Sequence, residues 1–392
     1  MGATRDAIRS YQGPPLFSWG FRPFFVLSAI WAAVAVPIWL AVFFHGGRIG
    51  GVDGLQWHIH EMLFGYVGGV VAGFLLTAVP NWTGRLPVTG GPLIGLVVLW
   101  LAGRVSGFLP GSMSAAAPLL DGAFLVVFAG VVWREVLAAN NRRNLPVAAM
   151  VSVLAAANLL FHARGLWPDA VALSERAAIA ALTSLIVLIG GRIVPSFTQN
   201  WTLARGIAAR PAPFGRLDKA TMAVTVTALL IWVLDPWSPL AGPPLILAGL
   251  LNLIRLVRWR GWLAWRESMV WSLHAGYVWA PVGLFLLGGA ALWPAAVPFS
   301  AGVHALTAGA MGVMTLAVMT RASRGHTGRP RAADAATTAI YGLVVTAAAA
   351  RVAAPFLVDV TSILLMLSAG LWVLAFLGFA AAYGPMLLRK SL

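Results

Sequence analysis

Twelve apolar segments of membrane-spanning length follow one another along the chain, and that succession leaves it few ways to fold. They lie near 24–45, 58–80, 92–108, 118–138, 146–164, 175–197, 219–236, 242–257, 268–290, 300–320, 335–355 and 361–386. A helix of about 20 apolar residues crosses the hydrocarbon of a bilayer. No water is present there, so backbone N–H and C=O groups must pair within the segment, which a helix does. Only 10% of the residues are charged, against about 25% in a soluble domain. The expectation is an all-α, polytopic membrane protein embedded in a lipid bilayer. Pro and Gly mark the joins, as at Gly90-Gly91-Pro92 and Ala241-Gly242-Pro243-Pro244, and no long polar tract interrupts the series. Residues 1–392 therefore read as a single transmembrane domain. The first apolar run is too long for a signal-peptide core.

Charge sets the orientation. Of the 27 Lys and Arg residues, 22 fall at the N-terminus, the C-terminus and the joins after even-numbered segments, and five fall at the other joins. By the positive-inside rule both termini face the cytoplasm. This topology accounts for the net charge of +15, so no nucleic-acid partner is expected. Segments two, six and ten then run inward, and their inner ends look alike: Ala78-Val79-Pro80-Asn81-Trp82-Thr83, Ile193-Val194-Pro195-Ser196-Phe197-Thr198 and Ala317-Val318-Met319-Thr320-Arg321. Three four-helix repeats, near 20–138, 146–257 and 268–388, fit that likeness.

Five of the seven histidines sit toward the outer face: His45, His58, His60, His162 and His304. Ionisable groups at the edge of hydrocarbon are costly and call for partners. His58 and His60 are two residues apart, so on a regular helix they point about 200° apart. They can serve two centres on opposite faces, one ion if the helix start is unwound, or the headgroup region as an interfacial pair. Glu61 follows directly, able to move protons or orient a histidine. His304 opens a thin face of Ala308, Gly309, Ala310 and Gly312, which admits a neighbouring backbone or a flat macrocycle. His274 lies inside an apolar span, as a ligand, a proton relay or a hydrogen-bonded core residue. His326 stands among arginines in a basic loop. His45 and His162 end helices where water is available, and a solvated role suits them. At the inner ends, Asn81, Arg85, Arg192, Asn200 and Arg321 gather if segments two, six and ten cluster; their guanidiniums suit haem propionates, lipid phosphate or an anionic headgroup.

The chain contains no cysteine, which excludes disulfides, iron–sulfur clusters, covalent c-type haem and thiolate copper sites. Phosphate loops, dinucleotide motifs, zinc-protease helices and serine elbows are missing as well. Intramembrane acids are few, Glu61 and Asp121 being the candidates, which argues against a proton-coupled transporter.

The stretches WHIHEMLFG (57–65), GFLLTAVPNWTGR (73–85), GGRIVPSFTQNW (190–201), LHAGYVW (273–279) and HALTAGAMGVMTLAVMTRASRGHTGR (304–329), with FSWGFRPFF (17–25), resemble the signature segments of the NnrS family. The resemblance covers essentially the whole chain. It implies a multi-pass protein of the bacterial inner membrane, haem b and copper as cofactors, and a part in denitrification or defence against nitric oxide. It also implies metal-ligand candidacy for His58, His60, His274, His304 and His326. A weaker, architectural resemblance is to the catalytic subunit of haem–copper oxidases and nitric oxide reductases. There an H-x-H pair serves two haems. Here the pair is on the second segment instead of the tenth, and segments six and seven carry no histidine for a copper or non-haem iron site.

The leading expectation is a haem-binding redox protein that reduces nitric oxide with electrons from quinol or another donor. His58 and His304 pair on one haem, His60 serves a second centre as a catalytic residue, and Glu61, the other catalytic candidate, moves protons or orients a histidine. Arg192, Arg321 and Asn81 are candidates to hold the cofactor's anionic groups. The alternatives are non-enzymatic binding, sensing or transport of haem, copper or an iron–nitrosyl species, and a transporter whose histidines form a substrate path.

Overall fold

A computed structural model of the chain describes residues 11–108, 116–167 and 169–391. Arg5 and Arg9, part of the N-terminal positive charge, lie outside the described residues. Among the described residues, twelve long helices carry the fold. They are α1 (Phe21–His45), α2 (Gly54–Thr83), α3 (Gly90–Ser106), α4 (Ala117–Ala138), α5 (Leu145–His162), α6 (Ala170–Leu203), α7 (Arg216–Leu234), α8 (Gly242–Arg258), α9 (Ser268–Leu292), α10 (Phe299–His326), α11 (Ala335–Ala353) and α12 (Thr361–Leu388). Ten are long and apolar enough to span a membrane; α3 is a shorter apolar helix and α4 carries Asp121, Arg134 and Glu135. The chain is an all-α, multi-pass membrane protein. Several helices outrun their apolar runs. The reason is visible in α6, whose last turns are the polar Thr198-Gln199-Asn200-Trp201, beyond what hydropathy marks as spanning.

The only strands among the described residues are β1 (Arg48–Ile49) and β2 (Val52–Asp53), an antiparallel hairpin between α1 and α2. Its turn is Gly50-Gly51, with φ of +55° and +81°, a backbone open to glycine and strained for other residues. Asp53 then caps α2, its Oδ1 accepting from the Leu55 N–H at 2.9 Å.

The helices form two compact units. One holds α1 to α5, α6 as far as Ala178, residues 322–330 and the chain from Phe379 onward. The other holds Ile179–Arg321 and Arg331–Gly378. In the first unit α1 packs on α2, α2 and α3 on α4, and α4 on α5. In the second, α7, α8, α9, α10 and α11 pack in succession, around a core that includes Val194, Trp259, Leu273, Tyr277 and Met314.

Helices α2, α6 and α10 share a further trait. Each contains a π-helical segment, at Glu61–Val67, Ile186–Gly190 and Ala305–Val313. Such widened turns recur at functional sites, because they redirect side chains and offer carbonyls to outside donors. The Gly65 carbonyl accepts from Trp100 Nε1 at 2.9 Å, and the Val187 carbonyl from Arg255 Nη1 at 2.9 Å.

Candidate functional site: a buried histidine–carboxylate–arginine centre

The first unit encloses a group of ionisable side chains drawn from four helices. His60 and Glu61 stand where the regular start of α2 gives way to its π segment. Arg104 comes from the last turn of α3, Asp121 from the first turns of α4, and Asn158 and His162 from the last turns of α5. Successive helices alternate in direction, so a start, an end, a start and an end meet at one membrane face. The arginine distribution assigns that face to the outside. Burial is near complete: exposure is 6% at His60, 2% at Glu61, 3% at Arg104 and 3% at Asp121.

The contacts are dense. Glu61 Oε1 lies 3.0 Å from His60 Nδ1, while Glu61 Oε2 lies 2.9 Å from Arg104 Nε and accepts from Trp31 Nε1 at 2.8 Å. Arg104 Nη2 donates to Asp121 Oδ1. Asp121 Oδ2 is 3.0 Å from His60 Nε2 and 2.9 Å from His162 Nε2. Asn158 Oδ1 is 3.0 Å from the same His60 nitrogen. Both ring nitrogens of His60 thus face oxygen. A neutral imidazole has one N–H and cannot donate on both sides, so a cation belongs at this junction, either a second proton or a metal. The nitrogen and oxygen donors of His60, Asp121 and His162 lie within 4.8 Å of one another. A cavity of about 170 Å³ adjoins them, lined also by Gly50, Gly51, Trp57 and Arg164. That volume is below the roughly 300–1,000 Å³ of small-molecule pockets, so it suits an ion and a diatomic ligand but not a macrocycle.

Gly65 makes the arrangement sterically feasible. A Cβ there would fall 2.7 Å from Arg104 Nη1, 2.7 Å from Glu61 Oε2 and 3.0 Å from Trp31 Nε1. Gly65→Ala is therefore expected to push the ion pair apart and cost about 1–3 kcal/mol, as overpacking does. Thermal unfolding in detergent checks this, with Gly91→Ala as a control, since nothing lies within 4 Å of a Cβ at Gly91. Equal melting temperatures for the two variants would contradict the steric account.

The remaining sequence candidates are distributed elsewhere. His58 stacks on Trp39, ring centroids 4.2 Å apart, while His60 turns to the carboxylates; the start of α2 is regular, and the pair does not converge on one ion. His326 lies against Trp19 and Phe21, at 4.5 and 5.6 Å. Asn81 is exposed and donates back to the Thr77 carbonyl. In the second unit, His304 Nδ1 lies 2.7 Å from the Ser300 carbonyl, which can only accept. The thin face after it is filled: Cβ atoms at Gly309 and Gly312 would meet the rings of Trp279 and Trp372. His274 Nε2 is 2.8 Å from Thr198 Oγ1. Arg321 lies over the Phe197 ring at 3.9 Å, so the inner ends of α6 and α10 do meet, and Arg192 is half-buried in the same unit. His45 stays exposed, its Nδ1 2.8 Å from the Ala41 carbonyl.

Three buried arginines, Arg22, Arg104 and Arg255, depart from the expectation that arginines sit at the joins. Arg104 is a buried member of the centre. Arg255 in the second unit is fully buried: its Nε donates to Asp218 Oδ1 at 2.7 Å and its Nη1 to Tyr277 at 3.2 Å. His162, expected to be solvated, is the second imidazole of the centre. The sequence held one signal for it, an acid at Asp121 in an apolar segment that had to be neutralised by something.

Fold and centre together define a multi-pass helical membrane protein with an ionic, metal-compatible site buried at one end of its helices. The NnrS protein family matches residues 15–391, and the chain belongs to it. Membership relates the protein to nitric oxide. No curated protein matches the chain.

Proposed function

We propose that this protein is a haem- and copper-binding redox protein of the bacterial inner membrane that reduces nitric oxide with electrons from quinol. The observation that carries the reading is the convergence of His60, His162 and Asp121 on a cavity sized for an ion and a diatomic molecule. The balance is simple: two nitric oxide molecules, two electrons and two protons give nitrous oxide and water, and quinol oxidised to quinone supplies both electrons and protons. A bound metal would supply the redox change and a position for nitric oxide. The residues of the chain do the rest. Glu61 orients His60 through Nδ1 and is itself held by Arg104 and Trp31. Asp121, anchored by Arg104 on one oxygen, presents the other to both histidines. The donor set of two imidazoles and one carboxylate fits a divalent ion. Haem finds no room in this cavity; His304, with its Nδ1 at the Ser300 carbonyl, is the candidate that would hold it.

A second reading, binding or carriage of a metal or iron–nitrosyl species without turnover, is favoured by one fact. Among the described residues only one group of His, Asp and Glu can hold an ion, with no partner centre of the same kind. A nitric oxide electrode separates the two. A reductase consumes nitric oxide continuously when given a reduced quinol analogue, and His60→Ala stops it. A carrier takes up no more than a stoichiometric amount. Neither uptake nor turnover would overturn both.

A further inference from the structure

We infer that His60 Nε2, Asp121 Oδ2 and His162 Nε2 are the three protein ligands of one divalent first-row transition ion of the ferrous type. This deepens the reading above and rests on geometry independent of nitric oxide. Three observations carry it.

The first is spacing. Donors sharing an ion through bonds of about 2.0–2.2 Å lie roughly 3 Å apart when they are cis. The two imidazole nitrogens stand 3.0 and 2.9 Å from the shared carboxylate oxygen, so an ion is accommodated by small shifts of rotamer.

The second is the supporting shell. A ligating histidine ordinarily donates its other ring nitrogen to a carboxylate or carbonyl. Glu61 Oε1 stands at His60 Nδ1 in that role. The ligating carboxylate should itself be fixed, and Arg104 holds the opposite oxygen of Asp121. Asn158 Oδ1, 3.0 Å from His60 Nε2, adds a neutral oxygen donor at the same point.

The third is charge. Two buried carboxylates face one guanidinium, leaving one negative charge in excess. An unbalanced buried charge is expensive, and this excess negative charge favours a cation between the histidines and Asp121, a divalent ion taking the group to one net positive charge. Two imidazoles and a carboxylate, with open positions, are the usual donor set of non-haem ferrous sites. With no cysteine in the chain, a soft thiolate site for cuprous ion is ruled out.

The rival occupant of this position is a proton, which would make His60 an imidazolium ion-paired to both carboxylates. The test uses the full chain, purified in detergent, washed with chelator and titrated with Co(II). The expected result is one ion per chain by mass spectrometry, with visible d–d bands that saturate at one equivalent. Cu(II) added at one equivalent to the unmodified protein should show two imidazole nitrogens by pulsed EPR, which needs no variant to fold. Glu61→Gln should weaken Co(II) binding by about 10–100-fold, the usual effect of losing an orienting partner. His162→Ala should weaken it at least as much, and His45→Ala should leave it unchanged. Absence of stoichiometric metal in the unmodified protein would overturn the inference and leave the imidazolium. Unaltered affinity in His162→Ala, or fewer than two imidazole nitrogens, would overturn it equally. Because no nitric oxide enters these measurements, a failure here leaves a haem-based nitric oxide activity standing, and a lack of turnover leaves the metal site standing.

Discussion

Arg104→Ala is expected to prevent accumulation of folded protein. Arg104 is the sole guanidinium in contact with both Glu61 and Asp121 among the described residues, and all three are almost fully buried. Removing one partner of a buried ion pair costs about 3–5 kcal/mol, because the remaining charge is stranded. Here two carboxylates lose their guanidinium and are left with only the cation at His60 between them, against a typical total stability of about 5–15 kcal/mol. Yield of monodisperse protein in detergent and its thermal unfolding read the effect. Adding Asp121→Asn to Arg104→Ala removes one stranded charge and should restore part of the yield. A single variant as stable as the unmodified protein would mean that water or lipid reaches the centre.

Arg255→Ala should be the next most damaging change. Its guanidinium links Asp218 on α7, the Val187 carbonyl in the π segment of α6 and Tyr277 on α9, and Tyr277 continues to Asn252 at 2.6 Å. Asp218 is not wholly orphaned, since it still accepts from the Gly215 N–H at 2.8 Å and has Arg258 4.0 Å away. The loss therefore belongs near the lower end of the same range of about 3–5 kcal/mol. Arg255→Lys should not rescue it, because one ammonium cannot span three acceptors in a planar fork. The Gly190-Gly191 pair explains how so large a group is admitted: a Cβ at Gly191 would collide with the guanidinium, and one at Gly190 would press on the Tyr277 ring at 3.1 Å. Unfolding of Arg255→Ala and Arg255→Lys at the temperature of the unmodified protein would contradict this account.

These two arginines mark where the sequence stops being legible. Segment number and position follow from hydropathy, because apolar length has only one backbone solution in lipid. The likeness of the second, sixth and tenth segments could be read from their inner ends, Pro-centred in the first two and carrying Met319 at that place in the third, and their shared π segments lie beyond what residue patterns display. At the centre, His60 and Glu61 stand out because they are adjacent and polar at the mouth of an apolar run. Asp121 and His162 lie 41 residues apart in different helices, and nothing local to either announces the other. Arg104 looks like a loop charge for the same reason: a helix end in water and a helix end facing two carboxylates have the same one-dimensional text. Polar partners contributed by separate helices are a property of packing, and packing is what a single sequence displays least.

The most direct test of the central claim is an absorbance spectrum of the purified protein, oxidised and dithionite-reduced, with and without nitric oxide, beside metal analysis of the same sample. Haem bands and a bound transition metal are expected, with a spectral change on adding nitric oxide and loss of part of that change in His60→Ala. A protein that folds, carries neither haem nor metal and shows no response to nitric oxide would contradict that claim.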